Sequence, residues 1–193
     1  MIMDALAQFN FLDILILIIA FRICYIAVQV GLSIEFFKFL GALFSTYVAL
    51  HYYTTLSDMI QRRFLPKAMP LEFMDFIIFL ILVTAVYIGF IALRSIFYHF
   101  MKLEAAPRIS KVGGFIFGLA RGYLVIGLVI YTLMISSVSY LDSAVKHSYI
   151  GVRACSISPR VYNWLWSSIF SKFSAHEKFN PTVTEVMDRY GRK

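Results

Sequence analysis

The sequence contains few charged residues and few of the residue types that build catalytic or metal sites. Of its 193 residues, 15% are charged and two are cysteines, and the four histidines are dispersed. Cys24 and Cys155 have no CxxC or zinc-like spacing, and a disulfide between them would need both at one membrane level, which the spans predicted below disfavour. No HExxH motif, phosphate-cradling glycine loop or nucleophile elbow is present. We therefore expect no metal, no cofactor and no enzymatic activity.

The basic residues outnumber the acidic ones, but they form no nucleic-acid-binding block. The chain has 18 Lys and Arg against 11 Asp and Glu, for a net charge of +7. The basic residues are scattered among short polar segments between apolar runs. Lys and Arg in such places set membrane topology or contact anionic lipid head groups. We expect no nucleic-acid partner.

Apolar residues are abundant. They make up 60% of the chain, and the mean hydropathy is +0.76, whereas soluble domains contain about 45–50% apolar residues. A soluble chain of this length has too little interior for so much apolar surface, but a bilayer serves as an apolar solvent. The first ten residues contain no Lys or Arg, so the first apolar segment is expected to remain as a span and not to be cleaved as a signal peptide.

Four stretches are long and apolar enough to cross a bilayer, which takes roughly 20 residues. The predicted spans cover about residues 12–30, 36–53, 74–93 and 114–138. The sequence therefore predicts an all-α membrane protein, with residues 1–138 forming a four-helix transmembrane domain. The short connection at Gly31 predicts that the first two spans form a tight antiparallel hairpin.

Residues 139–193 are more polar and are predicted to form a tail. An amphipathic helix is expected over about residues 159–174, with Ser158 as its N-cap and Pro159 as its first residue. Its apolar face contains Tyr162, Leu165, Trp166, Ile169, Phe170 and Phe173. This helix is expected either to lie in the membrane interface or to cap the bundle. From His176 onward the apolar residues have no regular helical spacing, and that stretch is expected to be mobile.

The basic residues near the span ends are almost evenly divided between the two sides of the membrane. One side has Arg62, Arg63, Lys67, Lys146 and Arg153, and the other has Lys38, Arg94, Lys102, Arg108 and Lys111. Arg121 adds one more to the second side. Because basic loops stay inside, this count favours both termini outside.

Three glycines form the sharpest local pattern. Gly114, Gly118 and Gly122 are spaced by four and lie on one face of the fourth span. Two overlapping GxxxG frames favour a packing or oligomerisation face, because glycine lets a neighbouring helix approach closely. The alternative is the general enrichment of glycine in membrane helices.

Two arginines fall inside spans. Arg121 is expected to form an ion pair, to contact lipid phosphate or to extend its side chain to the interface. Arg22 lies about 12–15 Å from the ends of the first span, at about 1.5 Å per residue. It is interpreted as a polar functional site, where a water-filled pore or a second subunit surrounds the charge. The alternative is that the span is shifted in register or the bilayer is locally thinned. Asp13 and Glu35 lie at helix ends, where acids near the N-terminus are stabilising.

Three segments resemble the colicin V production protein (CvpA) family of bacterial inner-membrane proteins. They are the opening FLDILILIIAF with Asp13, the Gly31-to-Glu35 turn with HYYTTLS at 51–57, and KVGGFIFGLARG at 111–122. The last resembles the family's D-R-x-x-G-x-x-F-G-x-x-R-G segment. The resemblance covers about residues 10–138. Three positions depart from it: Val30 replaces Arg, Ser110 replaces Asp, and Arg22 replaces a small or apolar residue.

The resemblance implies an accessory factor or scaffold in colicin V production or export, or in envelope homeostasis. Some related regions precede an extracytoplasmic protease domain, which implies a C-terminus outside. The alternative is a small channel or transporter with a polar path involving Arg22 and Arg121. The expected partners are the lipid bilayer and either a second copy of the chain or other membrane proteins.

Overall fold

The computed structural model describes residues 10–64, 70–100, 107–136, 138–173 and 177–191. Lys67, Lys102 and His176, named above, lie outside these ranges. Nine α-helices and one π-helical turn occur within them: α1 Phe11–Val30, α2 Leu32–Phe64, α3 Leu71–Phe100, α4 Pro107–Ile135, α5 Ser139–His147, α6 Tyr149–Ala154, α7 Ile157–Leu165, the turn Trp166–Phe170, α8 Ser171–Phe173 and α9 Pro181–Gly191. The prediction of an all-α membrane fold is confirmed.

Four of the described helices are long and apolar enough to cross a membrane: Phe11–Val30, Leu32–Arg63, Leu71–His99 and Arg108–Ile135. The first begins at a capping box, in which the Asn10 side chain accepts from the Asp13 N–H and the Asp13 carboxylate accepts from the Asn10 N–H at 2.8 Å. The Asn10 side chain also accepts from the Phe11 N–H at 2.7 Å. It ends at Gly31, whose φ of +86° lets the chain reverse at once into α2.

The bundle does not pair its first two spans as a tight hairpin, and that prediction was wrong. α1 packs along α4, whereas α2 lies between α3 and α4, and α1 and α2 make few contacts with each other. The physical reason is the surface of α4. Its glycines let α1 approach closely at Ala27, so the short connection does not decide the packing.

The tail packs on the four spans and shares their core. Tyr53, Phe79 and Tyr131 of the spans lie in the same buried cluster as Tyr162 and Leu165 of α7. α7 lies close against α4 at Gly127, where an added Cβ would be 2.6 Å from Ile157. Of the two placements predicted for the tail helix, the structure shows packing against the bundle.

Several details of the predicted tail were wrong. α7 begins at Ile157, so Ser158 is inside the helix and buried instead of capping it. The π-helical turn Trp166–Phe170 widens the helix and breaks its 3.6-residue period, which leaves Phe173 84% exposed. Residues after 180 form α9, because Val183 and Val186 are three apart and both pack into the core.

Candidate functional site

A buried ion pair joins three of the four spans. Glu35, in the first turn of α2, is fully buried, and its Oε2 lies 3.1 Å from Nε of Arg121 on α4. Lys38 donates to Oε1 of Glu35 at 2.7 Å. Arg121 Nη1 donates to the hydroxyl of Tyr87 on α3 at 3.3 Å. The structure therefore places Arg121 in an ion pair inside the protein, not at the lipid interface.

The pair depends on charge more than on hydrogen-bond geometry. Glu35 Oε2 and Arg121 Nε are close, but neither has a well-directed hydrogen bond. Lys38, which is 17% exposed, is a second cation on the same carboxylate, so Glu35 is shared between Arg121 and Lys38. The ion pair holds α2 and α4 in one register, and removing Glu35 leaves the buried charge of Arg121 without its partner.

The glycine face of α4 packs against α1 of the same chain. A Cβ on Gly118 would collide with the Cβ of Ala27, and a Cβ on Gly114 would lie 2.6 Å from the carbonyl oxygen of Ala27. A Cβ on Gly122 would lie 3.6 Å from Ile23, an ordinary contact. Two of the three predicted positions therefore need glycine for this packing.

Gly31 and Ser110 fix the turn between α1 and α2. The Ser110 hydroxyl accepts from the Leu32 N–H at 3.3 Å, so α4 satisfies one free donor at the start of α2. A Cβ on Gly31 would collide with this hydroxyl, and its positive φ independently disfavours a side chain. Ser110, a departure from the resembled family, thus has a definite contact here.

Asp13 fastens the first span to the tail. Its buried carboxylate accepts from the Ser148 hydroxyl at 2.7 Å, the Ile150 N–H at 2.7 Å and the Tyr149 N–H at 3.3 Å. Ser148 is the N-cap of α6 and also accepts from the Gly151 N–H at 2.8 Å. Asp13 therefore serves the start of α6 as well as that of its own helix.

Replacing Asp13 with alanine is expected to destabilise the protein by about 3 kcal/mol, because several buried donors lose their acceptor. The two tryptophans of the chain, Trp164 and Trp166, both lie in the tail, so quenching of their fluorescence by acrylamide should rise as the tail loosens. Asp188→Asn, at an exposed position of α9, is the matched control and should change neither measurement. Unchanged unfolding and quenching for Asp13→Ala would show that α6 does not depend on this cap.

A second polar cluster joins the middle of α2 to the tail. His51 Nδ1 lies 2.9 Å from the Tyr162 hydroxyl, and that hydroxyl accepts from the Asn180 N–H at 3.0 Å. Burial raises the pKa of Tyr162 to about 12, so the phenol keeps its proton. The protonated phenol is therefore within hydrogen-bonding distance of Nδ1 of His51, and Nε2 of the same ring lies 3.5 Å from a carboxylate oxygen of Glu177.

Sequence reasoning missed this second cluster. His51 and Tyr162 are more than 100 residues apart in the sequence. Asn180, which also donates to the Leu50 carbonyl at 2.8 Å, belongs to no motif. The one available signal was His51 itself, a polar residue near the end of an apolar run.

Arg22 and Arg121 do not lie in one site: Arg22 is exposed and Arg121 is buried. Arg22 lies on the exposed face of α1, beside Ile18, Phe21 and Tyr25, which are 59%, 82% and 64% exposed. Arg121 is 7% exposed, and its side chain contacts Glu35 of α2 and Tyr87 of α3. Within the described residues the structure gives Arg22 no hydrogen-bonding or ionic partner.

A half-enclosed cavity of about 530 Å³ lies between the start of α3, the end of α4 and the tail. It is lined by Tyr53, Glu72, Asp75, Met134, Ile135, Ser139, Asp142, Lys146, Thr182, Val186, Arg189 and Tyr190. Its acids are partly engaged, since Asp75 accepts from Ser57 and Asp142 pairs with Lys146 at 2.6 Å. Among the described residues, no group of three or more His, Cys, Asp or Glu side chains is arranged to hold a metal ion.

The described residues define a multi-pass helical membrane protein. It has four helices long enough to span a membrane, a buried ion pair and a tail that packs into the same core. The sequence profile of the Colicin V production protein family matches residues 12–175, and the chain belongs to this family. No curated protein and no solved structure matches the chain significantly. The family match continues past residue 138, where the resemblance seen in the sequence ended, and includes α5 to α8.

Proposed function

We propose that this protein is a non-catalytic accessory factor or scaffold of the bacterial inner membrane. It supports production or export of a colicin V-type peptide toxin or maintenance of the cell envelope. The observation that carries the proposal is the family match over residues 12–175. The packing of the described residues supports it, because the buried aromatic core and the Glu35–Arg121 pair hold the spans together.

The placement of the two intramembrane arginines favours a scaffold over a channel. A polar path through one chain requires both side chains to face a shared interior. Arg22 lies on the outer face of α1, and Arg121 is neutralised by Glu35 inside the bundle. Charged groups that line one transport path share an interior, and the exposed Arg22 does not share one with the buried Arg121.

The proposed orientation puts both termini outside the cytoplasm. The start of α1 and the tail lie at the same end of the bundle, since Asn10 Nδ2 donates to the Ala144 carbonyl at 3.5 Å and Ser148 to Asp13 at 2.7 Å. The basic connections at the opposite end are then cytoplasmic, as their charge favours. Alkaline phosphatase fused after the tail should be active, and an inactive phosphatase with a fluorescent cytoplasmic reporter at the same place would reverse the orientation.

Complementation tests the proposed role. In a colicin V-producing strain that lacks its own family member, the wild-type chain should restore toxin release into the medium or resistance of the envelope to detergent. Asp13→Ala should restore less, and Asp188→Asn as much as wild type. A chain that is inserted in the membrane at wild-type level but restores neither property would contradict the proposal.

A further inference from the structure

Arg22 is a charge on an otherwise apolar outer surface. Around it on α1, the exposed side chains of Leu17, Ile18, Phe21 and Tyr25 line a shallow groove. Every other charged residue of α1 is accounted for, because Asp13 is buried under the tail. This outer face therefore combines large apolar side chains with a single cation.

The depth of Arg22 keeps it away from both membrane surfaces. It lies eight residues before the end of α1 at Val30, which is about 12 Å along the helix axis at about 1.5 Å per residue. The neighbouring Ile23 contacts Gly122, close to the middle of α4. An arginine side chain is too short to cover that distance, so lipid phosphate does not neutralise Arg22 without deforming the bilayer.

A second copy of this chain is an unsuitable partner for Arg22. Among the described acids of the spans, Asp13 and Glu35 are fully buried and already paired. The remaining ones lie where α2 ends or α3 begins, namely Asp58, Glu72 and Asp75. In a symmetric dimer both copies of Arg22 lie at the same depth, so they would face like charge and no free carboxylate.

We infer that the outer face of α1 around Arg22 binds a membrane-spanning helix of another protein, and that this helix carries an Asp or Glu near its middle. The inference rests on the proposed scaffold role and names the chemistry of the partner. Charge complementarity selects the carboxylate, which accepts two parallel N–H bonds from a guanidinium. Phe21 and Tyr25 lie on either side of Arg22 along the helix and supply apolar contact area that excludes lipid and water from the ion pair.

Photo-crosslinking in intact membranes tests this contact. A photoreactive amino acid replaces Tyr25, one turn from Arg22, in the complementing strain described above. The same probe at Ile88, which is 57% exposed on α3, is the control for non-specific capture. The experiment compares the wild-type residue with Arg22→Leu and Arg22→Lys, and mass spectrometry identifies the adducts. Since Arg22 has no polar partner within the described residues, Arg22→Leu should unfold at the wild-type temperature.

The expected adduct at position 25 contains a different membrane protein with an acidic residue in the middle of a span. It should fall by about tenfold or more in Arg22→Leu, because one partner of a desolvated charge pair is lost. Changing the partner's acid to Leu should have the same effect, and Arg22→Glu combined with Arg at the partner's position should restore the adduct.

Three results would overturn the inference: adducts only with a second copy, adducts only with lipid, or an adduct that Arg22→Leu leaves unchanged. Complementation by the wild-type chain is scored separately in the same strain. Restored toxin release without an acidic partner at position 25 therefore rejects this inference alone, and failed complementation rejects the proposed function.

Discussion

Replacing Glu35 with alanine is expected to lower the free energy of unfolding by about 3–5 kcal/mol, the cost of leaving a buried charge without its partner. In the wild-type protein Arg121 is 7% exposed, and its Nε lies 3.1 Å from Glu35. Without the carboxylate, the remaining partner of its guanidinium among the described residues is the Tyr87 hydroxyl, at 3.3 Å. Equilibrium unfolding of the purified protein in mixed detergent micelles measures the loss.

Two further variants separate the charge effect from simple loss of packing. Lys38→Met should cost less than Glu35→Ala, since Lys38 is 17% exposed and its loss leaves Glu35 paired with Arg121. The double variant Glu35→Leu/Arg121→Met removes the carboxylate and the buried guanidinium and leaves the partly exposed Lys38 without its partner, so it should regain part of the stability that Glu35→Ala loses. If the double variant loses as much stability as Glu35→Leu and Arg121→Met lose separately when added together, the pair does not act as a unit.

Gly118→Ala and Gly114→Ala are each expected to destabilise the protein by about 2–3 kcal/mol, because an added methyl group overfills the contact between α1 and α4. Gly89→Ala on α3 is the matched control. Nothing lies within 4 Å of its added Cβ, so it should be neutral or slightly stabilising. The measurement is the same unfolding experiment, and the size of the protein in detergent solution detects any change in self-association. Gly118→Leu should disrupt the contact more severely.

A second-site change distinguishes the two glycines. The clash at Gly118 is with the Cβ of Ala27, so adding Ala27→Gly should restore most of the stability of Gly118→Ala. The clash at Gly114 is with the carbonyl oxygen of Ala27 and the backbone of Gly31, which no side-chain change removes. Ala27→Gly should therefore not rescue Gly114→Ala. Equal rescue of both variants would contradict the packing of α1 against α4.

The spans were predictable because each one depends on its own local sequence. A run of roughly 20 apolar residues has one low-energy structure in a bilayer, the helix, whatever its neighbours are. The glycine spacing of α4 likewise gave the existence of a packing face. It did not give the partner, since α1 and α2 both adjoin Gly31 and only the shapes of their side chains choose between them.

The polar contacts were less predictable because they join distant parts of the chain. Asp13 was assigned to its own helix end, and that local role is present, but its carboxylate also caps α6 more than 130 residues later. The bonds of Tyr162 to His51 and Asn180 follow from the docking of α7 beside α2. No periodicity within the tail specifies that docking, and the π-helical turn further hides the helical period there.

Toxin release by the Glu35→Leu/Arg121→Met variant is the most direct test of the scaffold account. If the buried pair only holds α2 and α4 together, the uncharged double variant should fold and should release toxin at the wild-type level in the complementing strain. A double variant that folds and enters the membrane as well as the wild type, yet releases no toxin, would show that the charges themselves act in transport and would contradict the account.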